Sequence, residues 1–363
     1  MMKQLGVSIY PSKSDLEEDK AYLELASKYG FTRIFTSLLE ITGDREEVIE
    51  KYKTITEYGN SLGMNTTLDI NPALFEQLGV SYDDLSFFAN IGADSIRLDM
   101  GFSGAEEALM TKNEHGLKIE VNMSSGTKYI DNVMSHQPER TKLIASHNFY
   151  PMRYAGLSRE HYDETTAQFN KYNLNTSAFV TSQVGEIGPW PVQTGLCSLE
   201  EHRDLPLEIQ VTHYKLMDNI DDLVIGNAYA SEAELKKASE AFFSPHVLIP
   251  VVLADDISEL EKKLILEELH TYRGDRSAYL LRSTQTRVKY KEEDFPAREV
   301  DEVKAGDLVI GNENFGQYKG ETQIILKDIK NEGNRNVVGR LADGMEEIIA
   351  DLEPWSSFKM VEL

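Results

Sequence analysis

At 363 residues with 41% hydrophobic composition, the chain is long for one domain and has the material for two cores. A net charge of −24 argues against nucleic-acid or anionic-membrane partners, which need a basic face, and any anionic ligand must be held by a local cluster of donors. The single cysteine, Cys197, rules out an intrachain disulfide and reads as a small buried filler.

The opening residues, MMKQLGVSIYPSKS, enter a strand at once, with no signal-peptide core. The longest apolar run, Val247 to Ala254, is far short of the ~20 residues of a membrane span. A soluble, cytoplasmic protein is expected. Short apolar strands then recur, each ending in small polar or acidic residues: Leu5 to Pro11, Thr32 to Glu40, Met64 to Pro72 and Ala93 to Gly101. Four more follow at Leu117 to Ser125, Lys142 to Pro151, Asn175 to Gln183 and Asp222 to Ala230. Helix-like segments separate most of them. This α/β rhythm predicts a (β/α)8 TIM barrel over residues 1–245, with reactive residues where the strands end.

Ser14-x-x-Glu17, Ser103-x-x-Glu106 and Ser231-x-x-Glu234 read as capping boxes after the first, fourth and eighth strands. The long stretch from Val184 to Leu196, rich in glycine and proline, predicts an ordered excursion over the barrel mouth. Beyond Phe243 the texture changes. SAYLLRSTQTRVKY, GDLVIGNENFG, ETQIILKDI and RNVVGRLAD read as strands joined by turns, a second, smaller β-rich domain over 246–363. The glycines of GDLVIGNENFG lie between β segments and so read as turns, not a phosphate loop.

Alternation assigns faces. Ser95, Arg97 and Asp99 share the inner face of the fourth strand, and Lys118, Glu120 and Asn122 that of the fifth. Arg97 and Glu120 are expected to neutralise each other deep in the barrel. Asp69 and Asp99 fall at the open end on adjacent strands, the minimum for acid/base work on a glycosidic bond, and are the catalytic candidates. Glu186 and Glu40 are further mouth carboxylates. Ser8, Tyr10, Asn122, His147, Asn148 and Asn227 end the surrounding strands and are candidates for holding substrate. Since the mouth is acidic, a cation for an anionic group has to come from elsewhere: Arg282 or Arg287 of the second domain, or Arg153 after the sixth strand. Two other classes stay open. Asp69, Asp99, Glu120 and His147 could ligate a divalent metal in a sugar-phosphate isomerase or epimerase; a non-catalytic sugar- or peptide-binding protein, or a prolyl isomerase, is the third reading.

The ordered set GVSIYP, FTRIFTSLL, TLDINP, SIRLDMGF, IEVNMSS, SHNFYP with GLS, EEHRDLP, LVIGNAYAS, GDLVIGN, YKGETQIIL and NVVGRL resembles the bacterial 6-phospho-N-acetylmuramidase (MupG-like) family over nearly the whole chain. That resemblance implies a barrel followed by a cyclophilin-like β domain. It also implies hydrolysis of the β-1,4 bond between 6-phospho-N-acetylmuramic acid and N-acetylglucosamine during peptidoglycan recycling, with no cofactor or metal. The partner is then a small phosphorylated disaccharide, and self-association into a homo-oligomer is left open. The chain departs from the expected pattern at SHNFYPMRYAGLS and GLCSLEEHR, both bordering the pocket, where choice of the leaving sugar is set.

Overall fold

Eight short strands with apolar outer faces bury those faces most economically by closing on themselves beneath helices. The computed structural model describes residues 3–38, 45–191, 194–299 and 302–363. Its first sheet contains β1 (Leu5–Ile9), β2 (Phe31–Ser37), β3 (Asn65–Ile70) and β4 (Ser95–Leu98). It continues through β5 (Lys118–Asn122), β6 (Leu143–Ser146), β7 (Asn175–Val180) and β8 (Asp222–Ile225). All neighbours are parallel, and β8 pairs with β1 through Leu5–Leu223 and Val7–Ile225, so the sheet is a closed TIM barrel. Ile96, Leu98, Ile119 and Val121, the outward set of β4 and β5, are fully buried.

The inner face is layered. Towards the strand starts, Arg33 of β2 donates to Glu120 of β5, lies 3.5 Å from Asp222 of β8 and reaches Thr67 Oγ1 at 3.3 Å. This corrects the expected Arg97–Glu120 pair. Register does place Arg97 beside Glu120, but it is Arg33, from across the barrel, that donates to Glu120 Oε2. Arg97 is drawn instead towards the carboxylates at the open end.

Two of the three helix starts also differ from expectation. Asp15, not Ser14, caps the helix Leu16–Lys28, accepting from the amides of Glu17 and Glu18 at 2.9 and 3.3 Å. The Ser14 hydroxyl lies near Tyr10 O and the Asp19 carboxylate, which compete for it. After β4 the cap is Gly104, whose amide donates to Glu107 at 2.6 Å. Ser231 and Glu234 form the reciprocal pair as expected.

Gly226 ends β8 where the returning loop crosses it. A Cβ there would lie 2.3 Å from the Leu196 carbonyl oxygen, and backbone cannot swing aside as a side chain can. Gly226→Ala should therefore destabilise by about 1–3 kcal/mol, the usual cost of forced overpacking, read as a drop in urea midpoint at unchanged slope. An unaltered midpoint would show that the crossing loop adjusts freely.

The chain divides into two compact units, Met1–Val211 with Asp218–Glu240, and Thr212–Met217 with Ala241–Leu363. The second is built on a mixed seven-stranded sheet. Its strands are β9 (Val247–Leu253), β10 (His270–Thr271), β11 (Leu280–Ser283), β13 (Asp307–Gly311), β14 (Thr322–Ile325), β16 (Arg335–Leu341) and β17 (Ser357–Glu362). The sheet order is β10-β17-β9-β16-β13-β14-β11, with only the β17–β9 pair parallel. β12 (Glu302–Val303) and β15 (Ile329–Lys330) form a separate two-stranded ladder. Among the described residues no helix is long and apolar enough to cross a membrane.

Candidate active site

The open end of the barrel is organised by one guanidinium. Arg97, 1% exposed on β4, donates through Nη1 to Asp69 Oδ1 at 2.6 Å and lies 3.6 Å from Asp99 Oδ1. Its Nε donates to Ser146 Oγ at 2.8 Å and its Nη2 to Asn148 Oδ1, so β3, β4 and the end of β6 are tied at one point. Burial alone would lower the Arg97 pKa, but Asp69, Asp99 and Glu120 outweigh it and raise it. The cation is permanent.

The two carboxylates differ in environment. Asp69 is 2% exposed, and burial pushes its pKa up to about 6; Arg97 opposes that shift and the Asp99 charge adds to it. The Asp99 side chain, by contrast, is 39% exposed. Asp99 is fixed through its backbone. Its amide donates to Ile70 O at 3.0 Å, and its carbonyl accepts from Asn122 Nδ2 at 3.1 Å. The loop beyond it is gathered by buried Glu107, which accepts from the Phe102 and Gly104 amides and the Tyr129 hydroxyl.

Beside this polar cluster lies an aromatic one. Phe35 and Phe179 are buried at 5.0 Å between ring centroids, and partly buried Phe149 packs on both at 5.9 and 5.0 Å. Half-buried Tyr150 lies within electrostatic reach of both Arg97 and Asp99, with burial raising its pKa. Buried Arg203 binds Glu200 at 2.6 Å and donates to the carbonyls of Tyr150 and Thr194, while Glu200 accepts from the Gly156 amide at 2.7 Å. The loops after β6 and β7 are thereby clamped together, which is what EEHRDLP does locally.

The predicted residues separate into groups. Asp69, Asp99, Asn122 and Asn148 are brought together by Arg97 or by contact with Asp99. Tyr10 lines the same end, fully buried, its hydroxyl donating to Gly226 O at 2.5 Å; Ser8, on the same strand face, is also buried. His147 is turned away from the mouth. It is fully buried, with Nδ1 3.1 Å from Ser124 Oγ and Nε2 2.9 Å from Thr166 Oγ1, and burial pushes its pKa down to about 3, so the ring is neutral. Asn227 is a loop clamp, accepting from Ser182 N at 2.8 Å and donating to the Ser182 and Gly185 carbonyls. Glu186 is exposed in the loop after β7, and Glu40 lies outside the described residues. Arg153 is forked onto Asp204 at 2.5 and 2.8 Å, and Arg282, in the second unit, onto Glu321 at 2.7 and 2.9 Å. The four residues that could have ligated a metal do not gather: Glu120 is held by Arg33 and His147 faces Thr166. Cys197 is buried, which pushes its thiol up to about 12.

Residues 5–240 match the model of the 6-phospho-N-acetylmuramidase N-terminal domain, and residues 247–361 match that of its C-terminal domain. The chain belongs to the 6-phospho-N-acetylmuramidase family. All of the barrel-mouth cluster falls within the N-terminal match, and Arg282 within the C-terminal one. A crystal structure of an uncharacterized B. cereus protein is 43% identical, covering 100% of both chains with a TM-score of 0.92. Another, a conserved Enterococcus faecalis protein of unknown function, is 22% identical over 99% of this chain and 96% of its own; its TM-score of 0.77 shows the shared fold. No curated protein matches the chain significantly.

Proposed function

We propose that this protein is a glycosidase that hydrolyses the β-1,4 bond between 6-phospho-N-acetylmuramic acid and N-acetylglucosamine, in the reuse of cell-wall fragments. The observation that carries the reading is the Asp69–Arg97–Asp99 cluster at the barrel mouth, in a chain of the 6-phospho-N-acetylmuramidase family. A buried carboxyl with a raised pKa beside an exposed one is the division of labour that glycoside cleavage needs. Arg97 holds Oδ1 of Asp69, so Oδ2 carries the proton delivered to the glycosidic oxygen. Asp99 then faces the positive charge developing at the sugar carbon, or orients the 2-acetamido group that attacks it. Both Oδ1 atoms lie on one nitrogen, at most about 6 Å apart, so the guanidinium rather than a water occupies the space between the two carboxylates. That favours a retaining route. The aromatic patch of Phe35, Phe149 and Phe179 offers a sugar ring an apolar wall.

Incubation with the phosphorylated disaccharide should release both sugars, and chelator should not change the rate. Uncleaved disaccharide would overturn the reading, and loss of activity on chelation would favour the metal-dependent isomerase. The pH profile carries its own prediction. If Asp69 must be protonated, kcat/KM falls as pH rises through about 6, and Asp69→Asn removes that limb. A profile flat from pH 5 to 8 in the unaltered protein would assign the proton elsewhere.

A further inference from the structure

In a chain carrying −24 overall, the second unit concentrates arginines on one face of its sheet. Arg282 on β11 stands opposite Gln323 of β14, and Arg335 of β16 stands opposite Gly311 of β13. With Phe315, Tyr318 and Glu321, the side chains of Arg282, Gln323 and Arg335 line a cavity of about 210 Å³. Arg287 reaches the same carboxylate, lying 3.3 Å from Glu321 Oε2.

The cavity is built rather than incidental. Glu321 is fully buried and takes both arms of Arg282, and Gln323 Nε2 donates to its Oε1 at 2.9 Å. Tyr318 lies under the guanidinium carbons of Arg282 and Arg287, at 5.5 and 5.1 Å from its ring centroid. Phe315 does the same for Arg335 at 4.5 Å. The aromatic turn reaches the strand only because residue 311 is glycine: a Cβ there would sit 2.4 Å from Tyr318 O and 2.9 Å from Phe315 Cδ1. The motif GDLVIGNENFG therefore closes one wall of the cavity.

Charge decides the ligand. Arg335 donates through Nε to Gln323 Oε1 at 2.9 Å and through Nη1 to Asn334 Oδ1 at 2.8 Å, both neutral acceptors. Among the described residues no carboxylate forms an ion pair with it; exposed Glu332 and buried Glu321 act on it only through space, and burial lowers its pKa despite them. Arg282 and Arg287 share the one buried carboxylate and Arg335 contacts none; Glu321 alone against three guanidiniums leaves two positive charges at the cavity, with exposed Glu332 and Asp275 acting from outside it. A carboxylate ligand would neutralise half of that excess, and a phosphate dianion all of it. The volume has room for a phosphate group and the carbon that bears it.

We infer that this cavity is a binding site for a phosphate monoester, gripped by Arg335 with Arg282 and Arg287 behind it. The site stands on the second unit alone; that its phosphate is the one on the hydrolysed disaccharide rests on the function proposed above. The alternative source of the same chemistry is a separate phosphosugar that binds here without being cleaved.

Calorimetric titration of the full chain with N-acetylmuramic acid 6-phosphate, with inorganic phosphate as competitor, tests the site without any turnover. Arg335→Gln should weaken binding at least ~10-fold, the scale of one charge-assisted contact. Arg335→Lys, which keeps the charge but not the fork, should fall between, and Arg153→Ala should leave binding unchanged. Unfolding midpoints of both Arg335 variants confirm that they fold. Equal affinity in the unaltered protein, Arg335→Gln and Arg335→Lys would overturn the site. The kcat/KM ratio for phosphorylated over unphosphorylated disaccharide separates the sources: a ratio that drops in Arg335→Gln assigns the substrate's own phosphate. A ratio that holds while phosphosugar binding is lost assigns the separate ligand. Failure of the chain to cleave either disaccharide would sink the glycosidase reading and leave the titration to judge the site by itself.

Discussion

Asp99→Asn and Asp69→Asn should each lower kcat by ~10²–10⁴-fold, the range for losing a positioned acid or base. Both substitutions preserve shape, and Asp99 is partly exposed, so its variant should unfold at nearly the same denaturant concentration as the parent. The two should then part company on a substrate with an activated aryl leaving group. A departing group that needs no proton makes the acid dispensable, so the Asp69→Asn deficit should shrink towards the parent rate. Asp99→Asn should stay slow, because the charge or orientation it supplies at the sugar carbon is needed whatever leaves. Equal rescue of both variants would mean that the roles are not divided as the burial of Asp69 and the exposure of Asp99 suggest. Near-normal turnover by both on the natural disaccharide would move the chemistry to another carboxylate, with Glu186 the first to examine.

How much of this was legible beforehand differs by level. The barrel was readable because strand alternation is a property of neighbouring residues: Ile96 and Leu98 had to be covered, so Arg97 and Asp99 had to face in. Asp69, Asp99, Asn122 and Asn148 came with it, since strand ends in a closed barrel converge. Partner choice was not readable. Arg97 and Glu120 are correctly adjacent, yet a guanidinium spans several ångströms, and Arg33 reaches Glu120 from a strand three places away. Nothing local in FTRIFTS says that its arginine points at β5. His147 shows the opposite failure. Alternation runs on past the last strand residue: Ser146 and Asn148 both face Arg97, so the histidine between them turns outwards to Thr166. Phe149 was not readable for another reason: an aromatic three residues past a strand could pack anywhere until β2 and β7 are placed beside it.

Arg97→Met should be the most destructive change in the barrel. It leaves Asp69 buried without its cation, and breaking a buried pair from one side costs about 3–5 kcal/mol. The pH dependence identifies the cause. The Asp69 pKa already stands at about 6 in the folded protein against an ordinary value of 3.8, with Arg97 holding it down from a still higher one. A raised folded pKa means that stability is fully present below the unfolded value and is lost as pH rises through the folded one. Removing Arg97 raises the folded value further, so the loss in Arg97→Met should deepen from pH 5 to pH 8 and be smallest near pH 4, where the folded carboxyl is protonated with or without Arg97. Adding Asp69→Asn should then recover much of the stability at pH 8, because the charge that had no partner is gone, while catalysis stays absent. Urea midpoints of the two single variants and the double at pH 4, 6 and 8 measure this directly. Stability losses that are independent of pH, or that simply add in the double variant, would show that Arg97 contributes packing and its bonds to Ser146 and Asn148 rather than charge. The barrel mouth would then be held together by shape, and the pKa of Asp69 would have to be sustained by burial alone.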